Sequence, residues 1–168
     1  TFKFYDLRPG TYTLNISKTG YWSAEQVITL TSAKLTNYCS TIELIPLMYQ
    51  GSGIATGIIK DSVTGSGVEG LTLNVRCGIN TKTGTLAGQT TTEKSGKYKL
   101  TLDTGHYCVE VIDKRTLEDG QKKYYSTYFN IKVLGGITVA NQNATVSTTL
   151  SLDQIRIVLE WGAVPRDP

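Results

Sequence analysis

The sequence of 168 residues is poor in the side chains from which most active sites are built. Its single histidine, His106, excludes a metal centre made of several histidines and is the one base available to a catalytic triad. Since His106 directly follows a turn glycine, where an exposed polar residue is ordinary, we expect no catalytic role for it. We therefore predict no enzymatic activity, no metal site and no cofactor.

Charge is also scarce, since Asp, Glu, Lys and Arg make up 18% of the residues and leave a net charge of +3. A scattered charge of this size is too small for a nucleic-acid-binding face. No apolar run approaches the roughly 18 residues that cross a bilayer as a helix. We expect neither nucleic acid nor a membrane to be the partner of this segment.

The three cysteines, Cys39, Cys77 and Cys108, lack the spacing and the partner residues of a zinc site. An odd number allows at most one disulfide within the chain and leaves one thiol over. From the residues alone two outcomes stay open: free thiols that are buried, or one disulfide with one free thiol.

The abundant residues favour strands and turns: 25 threonines, 17 glycines and 10 tyrosines. Apolar and polar residues alternate along most of the chain, and no segment shows a sustained helical periodicity. The sequence therefore predicts an all-β protein. The expected strands lie at residues 2–7, 12–16, 27–30, 42–45, 54–60, 71–77, 88–92, 97–102, 107–112, 128–133 and 145–152.

A repeat relates the start of the chain to its second half. Phe2-Lys3-Phe4 followed by Gly10-Thr11-Tyr12 matches Tyr98-Lys99-Leu100 followed by Gly105-His106-Tyr107. In both copies an alternating strand leads to a glycine turn and then to a tyrosine. Gly20-Tyr21-Trp22 afterwards takes the place of Tyr124-Tyr125.

The repeat predicts three segments. Residues 1–49 are expected to be the C-terminal half of a first β-sandwich module, 50–152 a complete module, and 153–168 a linker or the first strand of a following domain. Under this interpretation the chain is a piece of a longer tandem array. Because a half-module exposes its core face and strand edges, we expect the strand at 155–161 to add to the sheet of residues 1–48.

The order of motifs in residues 51–152 is informative. Gly57–Leu73 has the pattern of a strand, a turn and a second strand, and Thr91–Tyr98 that of a threonine-rich turn before a Gly-x-Tyr strand. Together with Gly105-His106-Tyr107, they resemble carboxypeptidase regulatory-like domains. The resemblance implies a transthyretin-like (prealbumin-like), seven-stranded Greek-key β-sandwich of a kind often found in tandem in secreted and surface proteins. An extracellular or cell-surface location, in a bacterium, is therefore expected.

Single residues in these motifs have roles that elementary chemistry predicts. Asp61 can accept hydrogen bonds from backbone amides of the turn that it opens, while Gly65 and Gly67 supply positive φ. Gly96 allows a tight turn before the next strand. Tyr107 can bury its ring and leave its hydroxyl at the rim of the sandwich.

The resemblance also implies covalent chemistry. In the family fold the strand that holds Cys77 lies beside the strand that holds Cys108, which implies a disulfide between them. The related Cna B-type domains form an internal amide from a lysine, for which Lys60 has the matching place. Since Val111 stands near the position of the required acid, we predict no such amide.

Aromatic residues are the remaining candidates for a binding site. Tyr21 and Trp22 occupy the same loop-to-strand position as Tyr124, Tyr125 and Tyr128, and exposed rings of this kind stack on sugars. We predict a non-catalytic structural or spacer module whose partners are neighbouring domains of the same polypeptide. The alternatives are a module that binds carbohydrate or a host surface protein through these rings, and an accessory domain of a secreted enzyme.

Overall fold

The computed structural model describes residues 2–33, 38–39, 41–117, 120 and 122–148. Every regular element in this part of the chain is a strand, and it contains no helix long and apolar enough to cross a membrane. The strands are β1 (Gly10–Ile16), β2 (Ala24–Leu30), β3 (Ser52–Asp61), β4 (Thr72–Cys77), β5 (Gly88–Thr91), β6 (Lys97–Asp103), β7 (Gly105–Ile112), β8 (Thr127–Val133), β9 (Thr138–Val139) and β10 (Ala144–Val146).

Strands β3 to β10 form the predicted β-sandwich. One sheet has the order β10-β3-β6, with β9 also paired to β3, and the other has the order β5-β4-β7-β8. Both β9 and β10 run parallel to β3, β9 at Ile54–Ala55 and β10 at Ile59–Asp61. Strand β9 lies outside the strand predicted at 145–152. Between β9 and β10, Asn141 adopts a left-handed conformation with φ 61°, and the Asn143 side chain accepts the Ile58 amide hydrogen bond.

The core lies between the two sheets because alternate residues of each strand point inward. Strand β4 is typical: Leu73 and Val75 are fully buried, while Asn74 and Arg76 lie on the outer face. The continuous apolar cluster comprises Ala55, Ile59, Val68, Leu71, Leu73, Val75, Tyr98, Leu100, Leu102, Tyr107, Val109, Val111, Tyr124, Ile131, Val133 and Val146.

The turn between β3 and β4 confirms one prediction and corrects another. Asp61 Oδ1 accepts hydrogen bonds from the amides of Val63 at 2.8 Å and Thr64 at 3.0 Å, as expected. Gly65 has the predicted positive φ of 69°, but Gly67 does not. Gly67 is needed for a different reason: a Cβ there would lie 1.9 Å from the carbonyl oxygen of Ser95.

Strands β1 and β2 form a separate antiparallel sheet of two strands. The strands predicted at 2–7 and 42–45 are wrong, because a strand requires a partner and no described residue forms a ladder with either segment. Of the strand predicted at 145–152, β10 ends at Val146. Residues 149–152, the segment 153–168 and the strand predicted at 155–161 lie outside the described residues.

The predicted disulfide between Cys77 and Cys108 is wrong, since all three cysteines are free thiols in this structure. Strands β4 and β7 are neighbours as expected, but Cys77 is paired with Tyr107 and Cys108 with Arg76. Successive side chains in a strand point to opposite faces, so the two sulfur atoms lie on opposite sides of the sheet. Cys77 is exposed and Cys108 is buried.

Candidate functional site

The β1–β2 hairpin has the same register as the β7–β8 hairpin. Gly10 is paired with Leu30 and Tyr12 with Ile28, and in the second hairpin Gly105 is paired with Val133 and Tyr107 with Ile131. The repeat seen in the sequence is therefore also a repeat of local structure.

The tyrosines of the two Gly-x-Tyr elements make the same contacts. The Tyr12 hydroxyl donates to the Arg8 carbonyl, and the Tyr107 hydroxyl donates to the Asp103 carbonyl, each at 2.8 Å and each four residues upstream. Each ring also lies over the glycine that begins its strand. Tyr107 has its ring buried and its hydroxyl at the strand end, as predicted.

The correspondence extends to the connection after each first strand. The Trp22 amide donates to the Ile45 carbonyl at 2.8 Å, and the Tyr125 amide donates to the Ser147 carbonyl at 3.0 Å. Tyr21 and Tyr124 each form an isolated antiparallel bridge, with Pro46 and Thr148 respectively. Residues 41–47 thus correspond to the stretch that contains β10.

Polar contacts join the hairpin and Glu43 to one end of the sandwich. The Val27 amide donates to the Ile79 carbonyl at 2.9 Å, and the Ile79 amide donates to the Glu25 carbonyl at 2.8 Å. His106 Nε2 lies 2.8 Å from the Glu43 carbonyl oxygen, and Lys132 Nζ lies 2.5 Å from Glu43 Oε2. We call this set of contacts the junction.

His106 is therefore half-buried with a specific partner, not an exposed polar residue. Burial is the main cause that lowers the pKa of His106, the hydrogen bond with the Glu43 carbonyl opposes it, and the charge of Lys132 adds to it. His106 is then neutral at neutral pH, which suits a ring that donates one hydrogen bond within a partly buried contact. Its role here is to hold two segments together.

Of the aromatic residues predicted to bind a ligand, some have exposed rings and others are buried or already hold a partner. Trp22 is 38% exposed and its Nε1 donates to the Tyr49 carbonyl at 2.8 Å, while Tyr125 is 54% exposed. The Tyr21 ring lies under Lys18 Nζ, 4.8 Å from the ring centroid. Trp22 and Tyr125 thus present rings at equivalent positions of the two repeats.

Tyr124 belongs to the core, with 6% of its surface exposed, so its ring is not available as an exposed platform. Its hydroxyl donates to Asp61 Oδ2 at 3.0 Å, and burial followed by this hydrogen bond raises the pKa of Tyr124. Beside it an open pocket of about 210 Å³ is lined by the β3–β4 turn and by Arg115 and Lys123. Both cations already have partners: Arg115 is paired with Asp113 at 2.8 Å, and Lys123 lies over the Tyr124 ring.

Tyr128 lies on the outer face of the sheet β5-β4-β7-β8, away from Tyr124. Its hydroxyl donates to Glu110 Oε1 at 2.8 Å, and Glu110 Oε2 accepts from Arg76 at 2.9 Å. Burial alone would raise the pKa of Glu110, but hydrogen bonds from Tyr128, Arg76 and Asn74 together hold it below its usual value. Glu110 is thus a fixed anion that organises this face, and it is not a proton donor at neutral pH.

The carboxylates of Asp103 and Asp113, on either side of β7, also have hydrogen-bond partners. Asp103 Oδ1 accepts from Ser52 at 2.7 Å, and Asp113 accepts from the backbone and side chain of Arg115. Among the described residues no cluster of His, Cys, Asp and Glu is arranged to hold a metal ion. Lys60, the candidate for an internal amide, is exposed.

The junction residues were not recognisable in the sequence. Glu43 and Lys132 are 89 residues apart, and a lone charge of each sign in a strand is ordinary. The one available signal was the repeat itself, because it matches residues 41–47 to the stretch that contains β10.

No protein-family model and no curated protein sequence matches the chain. Among solved structures it is similar to GBS52, a minor pilin of Streptococcus agalactiae, with a TM-score of 0.44, 13% identity and coverage of 92% of this chain and 66% of that one. It is similar to BcpA, the major pilin subunit of Bacillus cereus, with a TM-score of 0.44, 17% identity and coverage of 86% and 41%. It is also similar to the TIE protein of Bacillus anthracis, with a TM-score of 0.43, 16% identity and coverage of 76% of this chain and 20% of that one.

The chain thus spans between 20% and 66% of the length of these proteins. The likenesses are distant, and they assign no role to it.

Proposed function

We propose that this chain is a non-catalytic structural module that holds neighbouring domains of a multidomain surface or extracellular protein at a fixed spacing. We also propose that the module is of the carboxypeptidase regulatory-like kind and that it is bounded at residues 49 and 152. The observation that carries it is the way in which the chain enters and leaves the sandwich.

Entry and exit lie at opposite ends. The chain enters at Ser52, the start of β3, and since β10 runs parallel to β3 it reaches the other end at Val146, opposite Asp61. At about 3.3 Å per residue, β3 separates these ends by roughly 30 Å. At the entry end, the hairpin contacts Ile79 through β2, and Glu43 contacts His106. Successive modules would therefore stack end to end, and each would add its length to a stalk.

Small-angle X-ray scattering tests the fixed spacing. We expect the wild type to fit one elongated shape, and Ile79→Asp, which places a charge in the junction, to require an ensemble of shapes. Ile79 is 8% exposed and lies outside the main core cluster, so the sandwich should stay folded. Ile137→Asp at a 45% exposed position is the control. A wild type that itself requires a broad ensemble contradicts the proposal.

A second candidate, binding of carbohydrate or of a host surface protein, is favoured by one observation: Trp22 and Tyr125 are exposed at equivalent positions of the two repeats. A glycan array provides the test. Binding that Trp22→Ala and Tyr125→Ala both leave intact would exclude these rings as the site, and loss in both variants would support them.

A further inference from the structure

The edge of β1 that faces away from β2 has no partner strand among the described residues. In β2, the Glu25 carbonyl and the Val27 amide are hydrogen-bonded to Ile79. The N–H and C=O groups of these two residues therefore point away from β1. Two directly opposite residues of an antiparallel ladder turn their N–H and C=O groups either both toward each other or both away from each other. Asn15 and Thr13, the partners of Glu25 and Val27, therefore turn these groups away from β2. No described residue pairs with β1 on that side.

The corresponding edge in the complete module is occupied. Thr13 corresponds to Cys108, and β7 is paired there with β4 from Thr72–Ile112 to Cys77–Tyr107. The ladder continues into the Gly78 amide, which donates to the His106 carbonyl at 2.8 Å. The complete module therefore shows what belongs on the open edge of β1: an antiparallel strand with the pattern of β4.

The apolar face of the hairpin is incompletely covered. The side chains of Tyr12, Leu14, Ile16 and Leu30 are half-buried. Their counterparts in β7 and β8 are buried: Tyr107, Val109, Val111 and Val133. The difference lies in the cover, because the register and the strand pairing are the same in the two hairpins.

Two further segments, residues 2–7 and 41–47, form no ladder with any described residue. Residues 2–7 correspond to β6 and residues 41–47 to the stretch with β10, and in the complete module β3 lies between those strands and pairs with both. Phe2 is 55% exposed, Phe4 64% and Leu7 46%. One strand with the pattern of β3 would give both segments their partner.

The composition of β1 fits an edge that is paired. Free edges in natural sheets are blunted by charges, proline or bulges. The seven residues Gly10–Ile16 contain no charge and no proline, and their register with β2 is unbroken. In contrast, the strand β6 at the edge of the complete module carries Lys97 and Lys99.

We propose that residues 2–33 and 41–49 form a socket for a strand pair with the pattern of β3 and β4. The first strand lies between residues 2–7 and 41–47, and the second pairs with β1 through Thr11, Thr13 and Asn15. The occupant is a segment of the same polypeptide on the N-terminal side of residue 1, because β3 and β4 precede β6 in the order of the complete module. The inference deepens the proposed structural role and rests on its tandem modules.

The test supplies the missing pair from the chain itself. A copy of residues 50–96 is fused directly before Thr1, since Gly96 leads into β6 and Phe2 begins its counterpart. Amide hydrogen exchange is then measured at Thr13, with Cys108 as the internal reference. In the unfused chain we expect Thr13 to exchange about a hundredfold faster than Cys108, and in the fused chain to slow to within about tenfold of it.

Two further variants keep the result decisive. The control fusion carries Leu73→Asp and Val75→Asp in the copied segment alone, and it should leave Thr13 in fast exchange. In the unfused chain Thr13→Pro removes an outward N–H group, and we expect the thermal midpoint to stay within about 4 °C of the wild type because an open edge tolerates proline.

Three results would overturn the socket. Thr13 exchange in the fusion could equal that in the control fusion, or Thr13→Pro could abolish folding of the unfused chain. The unfused chain could also be a dimer by light scattering with Thr13 already protected, in which case a second copy is the occupant. The first two results do not affect the single elongated shape expected in scattering, and a dimer is recognised by its mass before a shape is fitted, so failure of the socket and failure of the spacer role are distinguishable.

Discussion

Removing the hydroxyl of Tyr107 tests how far the two repeats are equivalent. Tyr107→Phe keeps the ring, of which only 6% is exposed. It deletes the hydrogen bond of 2.8 Å that the hydroxyl donates to the Asp103 carbonyl. Tyr12→Phe is the matched variant, because it deletes the same hydrogen bond, also of 2.8 Å, in the half-module.

The expected magnitudes differ because burial differs. A neutral hydrogen bond contributes about 0.5–1.5 kcal/mol, with the larger values where water cannot replace the lost partner. We expect Tyr107→Phe to lower the free energy of unfolding by about 1 kcal/mol, since this contact is partly buried. Tyr12→Phe, where the contact is exposed, should cost less than about 0.5 kcal/mol.

Urea unfolding followed by circular dichroism measures both variants. With a slope of about 1 kcal/mol per molar urea, the midpoint of Tyr107→Phe should fall by about 1 M. Equal shifts for the two variants, or no shift for Tyr107→Phe, would refute the reasoning from burial.

The pH dependence gives a second, independent readout of Tyr107. Burial raises its pKa from 10.0 to about 12, with smaller effects from Cys77 and Asp103. Because the pKa is higher in the folded state, the stabilising contribution is fully present below pH 10 and is lost as the pH rises towards about 12. The wild type should therefore lose stability more steeply than Tyr107→Phe in that interval.

Three further predictions concern glycine, glutamine and cysteine. Gly67→Ala should cost more than about 4 kcal/mol in urea unfolding because its Cβ would meet a backbone carbonyl at 1.9 Å, whereas Gly65→Ala, at φ 69° and in open space, should cost about 1–2 kcal/mol; equal losses would contradict this. Gln26→Leu should raise the unfolding free energy by about 1 kcal/mol, since its buried Oε1 accepts no hydrogen bond from the described residues, and a loss of stability would show that a donor was overlooked. In thiol titration Cys77 should react in the native chain and Cys108, buried and with its pKa raised by burial, only after unfolding; a thiol count that falls short by two would restore the disulfide.

The sequence was sufficient for the elements whose signals are local. Alternation placed β3 to β8 within a few residues, and simple chemistry placed the Tyr107 ring inside and its hydroxyl at the rim. Asp61 could be assigned to its turn because a carboxylate at a strand end commonly accepts the next amides of the chain.

The predictions that failed concern residues whose structure depends on a partner far away in the sequence. Apolar and polar residues alternate in 2–7 as they do in a strand. Alternation predicts which side chains share a face, but it does not provide the neighbouring strand that must pair with the backbone. The pairing of Cys77 depended on the register of β4 with β7, and a difference of one residue puts two side chains on opposite faces. The need for Gly67 comes from the backbone of Ser95, which no local rule brings near it.

The candidate site was predicted in part for the same reason. Trp22 and Tyr125 are exposed at equivalent positions, and that equivalence was visible in the repeat. Tyr124 is buried against Asp61, which is 63 residues away, and Tyr128 is held by Glu110 on another face. Sequence proximity had suggested one aromatic cluster from residues that the fold separates.

Residual dipolar couplings of the backbone amides test the fixed arrangement of hairpin and sandwich most directly. Couplings are measured for β1 and β2 and for β3 to β10 in one aligned sample. If the junction at Ile79, Glu43 and His106 holds the two parts rigidly, one alignment tensor fits both sets. Two tensors, with weaker order for the hairpin, would contradict the spacer account.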